Sequence, residues 1–137
     1  MSKTRSELRN DIMTILYQIN VYDVNKVDYN VDEVIESVLK IDNEFVKDVV
    51  YGVMTYKTEI DDMANKYLKD WTIDRLGNTD QAILRMAIYE ILYTDTPNIV
   101  CINEAIELAK KYSDDKVKNM INACLDKIYH KGLENEW

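Results

Sequence analysis

An all-α fold of about seven helices is predicted by three features of this sequence. Proline and glycine are scarce, one and three in 137 residues, so the chain lacks the frequent turns that a sheet protein needs. Apolar residues recur with a period near 3.6 along most of the length, and no strand is needed anywhere. Hydrophobic residues make up 47% and charged residues 31%, a mixture that suits a packed core and excludes both a disordered chain and a membrane span. Residues 1–137 are therefore expected to form a single helical domain, large enough to fold without a disulfide framework or structural zinc.

The first helix is marked by Leu8, Ile12, Ile15, Leu16 and Ile19, which place one apolar stripe opposite Arg5, Arg9 and Asp11. Residues 20–30 read as an irregular polar connection. Val31, Val34, Ile35, Val38 and Leu39 make a short second helix, and Asp42 is the expected N-cap of the third. Residues 45–56 are rich in valine and would suit a strand by composition. Their apolar positions 45, 46, 49, 50, 53 and 54 come in pairs separated by polar pairs, which is helical spacing, and Gly52 allows a neighbouring helix to come close. A fourth helix carries Ile60, Met63, Ala64, Tyr67, Leu68 and Trp71. Residues 72–78 break the pattern at Gly77. The fifth helix, from Thr79 through Ala82, Ile83, Met86, Ala87, Ile91 and Leu92, is apolar on nearly all sides and so is expected at the centre. The only proline, Pro97, separates it from a sixth helix with Ile102, Ala105, Ile106, Ala109 and Tyr112. Val117, Ile121, Cys124 and Ile128 define a seventh.

The charge is uneven. Lys plus Arg number 17 and Asp plus Glu 25, a net charge of -8 that repels polyanions from the molecule as a whole. Residues 23–48 hold eight acids against Lys26, Lys40 and Lys47. Lys3, Arg5 and Arg9 stand near the start, and Lys110, Lys111, Lys116, Lys118, Lys127 and Lys131 near the end. A local cationic strip is thus compatible with an acidic chain. The opening MSKTRSELRNDI lacks the apolar core of a secretory signal, so a cytoplasmic location is expected, with Cys101 and Cys124 as reduced, buried thiols.

Little in the sequence points to catalysis. Adjacent acids such as Asp61 with Asp62 and Asp114 with Asp115 read as solvated surface, and no glycine-rich phosphate loop, HExxH or GxSxG occurs. His130 is the only histidine, and with Cys101 and Cys124 it lacks the close ligand pairs of a zinc site. No enzyme activity, cofactor or metal is expected. Tyr17, which follows the cationic start, has two readings: its ring stacks on a base while Arg5 and Arg9 hold phosphate, or it caps the core with its hydroxyl in water. Trp71 with Tyr67 and Leu68 reads as core or as a partner-binding patch.

The string DRLGNTDQAILRMAIYEILYTDTPNIVCINEAIELAKKYSDDKVKNMINACLDKI, residues 74–128, resembles the second half of the NusB transcription antitermination family. That half has an AILRxAxYEL block, a proline loop and an INEAxELAK segment. Arg5 to Gln18 resembles the family's arginine-rich first helix with its LYQ-like end, and Phe45 to Leu68 its GV-containing segment. The resemblance implies a helical domain of two halves that pairs with the ribosomal protein NusE, binds boxA RNA and keeps the RNA polymerase elongation complex moving through rRNA operons. It implies no membrane association, and it leaves open whether two copies pair. Arg5 and Arg9 match basic positions of the family's first helix, Tyr17 its tyrosine, and Asp80 an acidic position opening the central helix.

The chain departs from the family pattern at two places. Ser6 and Glu7 stand where the family has further arginines. Ahead of the last helix, Lys116 replaces an aspartate, Asn119-Met120 a Lys-Phe pair and Ala123 a glycine. Loss of the phenylalanine removes a stacking ring, while Lys116 and Lys118 restore charge. The RNA-facing residues expected from the resemblance are therefore Arg5, Arg9, Tyr17, Asp80, Lys116, Lys118 and Asn119. The alternative is a helical interaction module of the same fold that has lost RNA recognition.

Overall fold

A computed structural model describes residues 2–132. Helix α1 (Arg5–Val24) starts where Thr4 and Glu7 cap each other: the Glu7 amide donates to Thr4 Oγ1 at 3.1 Å and the Thr4 amide to Glu7 Oε1 at 2.9 Å. Helices α2 (Val31–Val38) and α3 (Glu44–Thr55) are each capped by an asparagine, Asn30 and Asn43. Helix α4 (Lys57–Tyr67) follows α3 almost without a break. After a 3-10 turn at Ile73–Arg75 come α5 (Asn78–Tyr93), α6 (Asn98–Tyr112) and α7 (Asp115–Lys127), the last running on into a π-helical turn at Ile128–Gly132.

Three boundaries differ from expectation, each for a local reason. α1 continues through residues 20–24, because Asn20 faces inward: its side-chain amide donates to Asn78 Oδ1 at 2.5 Å and its carbonyl oxygen accepts from Arg85 Nη1 at 3.1 Å. A polar residue that breaks a helix in water here bridges two helices. The α3 cap is Asn43 and not Asp42, since Asn43 Oδ1 is the atom that accepts the Val46 amide at 3.1 Å. Trp71 lies beyond α4, which stops at Tyr67. Asp70, in the left-handed region at φ 59°, reverses the chain there.

α5 is the centre of the fold, as its sequence predicts. Its residues 81–91 are all buried, with Ile83, Leu84 and Ile88 fully so. α1, α3, α4, α6 and α7 all pack against it, and α2 packs on α1. α1 and α5 run antiparallel, with Arg9 meeting Glu90 and Asn20 meeting Asn78. Side chains from all seven helices enter one apolar core. No helix among the described residues is long and apolar enough to cross a membrane.

Cys101 and Cys124 are both buried and both free. Burial pushes each thiol up to about 12, because a thiolate loses its hydration inside the core. A thiol reagent at pH 8 is therefore expected to label neither cysteine in the native protein and both once the chain is unfolded in urea. Rapid native labelling of either would place it at the surface.

Candidate nucleic-acid interface

The Thr4–Glu7 cap fixes where α1 begins, and so where its first cations point. Arg5 is exposed, with its guanidinium carbon 3.9 Å from the centre of the Phe45 ring on α3. The ring restrains the stem while the outer N–H groups stay available to an anion. Arg9, one turn on, is different. It is 3% exposed, its Nε donates to Glu90 Oε2 at 2.9 Å, Nη2 to Glu90 Oε1 at 2.8 Å and Nη1 to Glu104 Oε1 at 3.2 Å. Burial works to lower the Arg9 pKa, but the hydrogen bond and charge of Glu90, with the charge of Glu104, raise it above the ordinary value. This geometry leaves the Arg9 guanidinium little freedom to meet the RNA phosphate expected of it. Its guanidinium is already committed to two carboxylates, and it acts as the pin that joins α1 to α5 and α6. Glu104 also accepts Ser6 Oγ at 2.6 Å, so the same carboxylate orders the first turn of α1.

Tyr17 is 41% exposed and sits two turns beyond Asn10 on the same face of α1. Asn10 Oδ1 accepts the hydroxyl of Tyr112 at 2.9 Å, which ties this face to the end of α6. Between α1 and α6 lies a groove of about 630 Å³ in which Lys3, Lys110 and Lys111 stand among four acids, Glu7, Asp11, Glu104 and Glu107. Asp80, in the first turn of α5, accepts a short hydrogen bond from Ser113, the residue that ends α6. That bond holds the start of α5 against the α6–α7 junction. A carboxylate so placed repels phosphate, so any contact of Asp80 with RNA is to the donor edge of a base.

At α7, Asp114 caps the helix by accepting the Val117 amide at 2.8 Å, which sets Lys116, Lys118 and Asn119 in its first turns. Lys118 leans on Asp115 at 3.7 Å in an exposed pair worth little. Lys116 and Asn119 open onto a groove of about 500 Å³ shared with Tyr67, Lys69, Trp71 and Lys127. Those four were not among the expected site residues. Trp71 was legible only as core or patch, and nothing in the sequence singled out Lys69.

The seven expected residues thus do not share a single groove. Arg5 opens onto a cleft with Phe45, Asp48 and Pro97, whereas Lys116 and Asn119 open onto the α7 groove. Asp80 and the α6–α7 junction stand at the opening turns of α7, and Tyr17 lies on the outer face of α1. Among the described residues no group of three or more His, Cys, Asp or Glu side chains could hold a metal ion.

These features define a class: small all-helical binding proteins that present cations and aromatic rings from helix faces around one buried central helix. The NusB family model matches residues 6–130, and the chain belongs to the NusB family. It is 43% identical over 130 residues to the transcription antitermination protein NusB of Staphylococcus aureus (strain JH9), a match that covers 91% of this chain and 98% of that one. In three dimensions it is similar to T. maritima NusB, with a TM-score of 0.81 and 29% identity over 100% of both chains. It is also similar to a chain from the crystal structure of the antitermination factors NusB and NusE in complex with dsRNA, with a TM-score of 0.78, 26% identity, and 95% and 98% of the two chains covered.

Proposed function

We infer that this chain is a single-domain, cytoplasmic transcription antitermination factor that binds boxA-type RNA together with NusE and supports elongation through rRNA operons, without catalysis of its own. The observation that carries this reading is the near-complete overlap, 95% of this chain, with a structure in which a NusB stands with NusE and RNA. Arg5, Lys116 and Lys118 supply phosphate contacts, while Tyr17 and Asn119 meet unpaired bases. Arg9 stays in the scaffold and Asp80 serves the junction first.

The net charge of -8 sets the mechanism. Long-range repulsion opposes RNA, so three cations on helix faces give weak binding alone, and a partner that brings positive surface raises the affinity. RNA binding is expected to tighten when NusE is added and to weaken with salt, Arg5, Lys116 and Lys118 alone contributing about -2 to the log–log slope on single-stranded RNA. Fluorescence anisotropy of labelled boxA RNA, with and without NusE at several salt concentrations, measures both. Equal affinity in the two cases, or none in either, removes the mechanism.

A second reading draws support from the internal engagement of Arg9 and Asp80: a module that keeps the partner and has lost the RNA. Arg5→Ala separates them, since it lowers RNA affinity under the first reading and changes nothing under the second.

A further inference from the structure

We propose that the groove between the Lys69–Trp71 turn and α7 holds an unpaired base of the bound RNA, with the flanking phosphates on Lys69, Lys116 and Lys127. The proposal rests on the RNA-binding reading above and assigns it a base subsite.

The groove is built by a chain reversal. α4 ends at Tyr67, Leu68 is buried, and Asp70 at φ 59° turns Trp71 back toward α7. The indole is half-buried, with the Arg75 guanidinium carbon 4.3 Å and the Lys116 ammonium 5.9 Å from the ring. The Arg75 contact is close enough to hold the ring firmly. Lys116 stands at the limit of cation–π range, where an incoming base displaces it toward its own phosphate. Trp71 Nε1 is buried without a hydrogen-bond partner. What the indole adds is a wide π-face.

The chemistry of the walls selects the occupant. Tyr67, Met120 and Ala123 give an apolar lining, and three lysines against Asp70 make the rim net +2 on a chain of net charge -8. Among the described residues none of Lys69, Lys116 and Lys127 is held in an ion pair. An aromatic wall beside unpaired ammonium groups matches a base between two phosphates, and it demands that the base be out of a duplex. An acidic protein segment would use the lysines but not the ring.

The test uses the full chain with NusE and boxA RNA, once single-stranded and once annealed to its complement. Trp71→Leu is expected to weaken single-strand binding about tenfold, the size of one lost base–aromatic stack, and to leave duplex binding unchanged. Lys69→Gln with Lys127→Gln, which keeps both side chains long and removes two charges, is expected to lower the salt slope by about 1.4. RNA carrying 5-iodouridine at each uridine in turn is expected to cross-link, at one position, to the peptide containing Tyr67 and Trp71. The proposal is overturned if the lysine pair variant binds single strands like wild type, if cross-links fall only elsewhere, or if an acidic peptide and not RNA competes for the groove. Failure of the unaltered chain with NusE to bind any RNA overturns the reading beneath it as well, which distinguishes the two failures.

Discussion

Arg9→Ala is expected to destabilise the protein by about 3–5 kcal/mol, because it removes one partner of a buried charge pair and leaves the other unpaired. Glu90 is 1% exposed and receives two N–H groups from Arg9; without them its carboxylate keeps only a long contact of 3.5 Å from the Thr96 hydroxyl. Glu104 is better placed to recover, with 23% of its side chain exposed and the Ser6 hydroxyl still bound. Most of the loss therefore comes from Glu90. Urea unfolding of the single variants Arg9→Ala and Glu90→Ala and of the double variant measures it. The double variant is expected to lose far less than the sum of the two singles, and Arg9→Met with Glu90→Met to come close to wild type, since well-packed apolar residues replace a buried ion pair at little cost. The same apolar pair also tests the site. If it folds and keeps its RNA affinity, Arg9 belongs to the scaffold; if it folds and loses RNA, the guanidinium reaches RNA after all.

Arg9 also shows where sequence reading stops. Its place in a basic, family-like first helix marks it as a candidate for phosphate, and nothing in the local sequence separates it from Arg5. The distinction is tertiary: Glu90 and Glu104 are 81 and 95 residues away along the chain. Helices were legible because their information is local. Apolar spacing at Val46, Val49, Val50 and Val53 overrode the strand preference of valine, and the uniform apolarity of α5 announced its burial. The boundary at Asn20 was not legible, since its partners Asn78 and Arg85 are distant in sequence. Trp71 failed in the same way. A pattern extended from α4 puts it on a helix, and only the Asp70 turn brings it against Lys116. Charges and rings can be counted in a sequence, but which of them are engaged internally is decided by packing.

Gly52→Ala is expected to destabilise by about 2 kcal/mol net, the opposite sign to the usual effect of this change inside a helix. Alanine in place of glycine in α3 gains roughly 1 kcal/mol of helix propensity. Against this, a methyl built on Gly52 overlaps the Tyr89 ring and hydroxyl of α5. Tyr89 has little room to retreat. It is buried, its hydroxyl lies 3.4 Å from Asp48 Oδ2, and its ring packs on Tyr93, which in turn stacks on Tyr56 with centroids 4.3 Å apart. Burial, then the charge and hydrogen bond of Asp48, raise the Tyr89 pKa, so its hydroxyl stays protonated and donating across the physiological range. The methyl must push α3 and α5 apart or force the ring off its rotamer, at a cost of about 1–3 kcal/mol or somewhat more. Trimming the obstacle identifies the cause. Added to Tyr89→Leu, Gly52→Ala is expected to be neutral or stabilising, since the propensity gain remains once the ring is gone. A penalty of the same size in both backgrounds would instead place the strain within α3 itself, and the close approach of α3 to the central helix would lose its role in holding the fold.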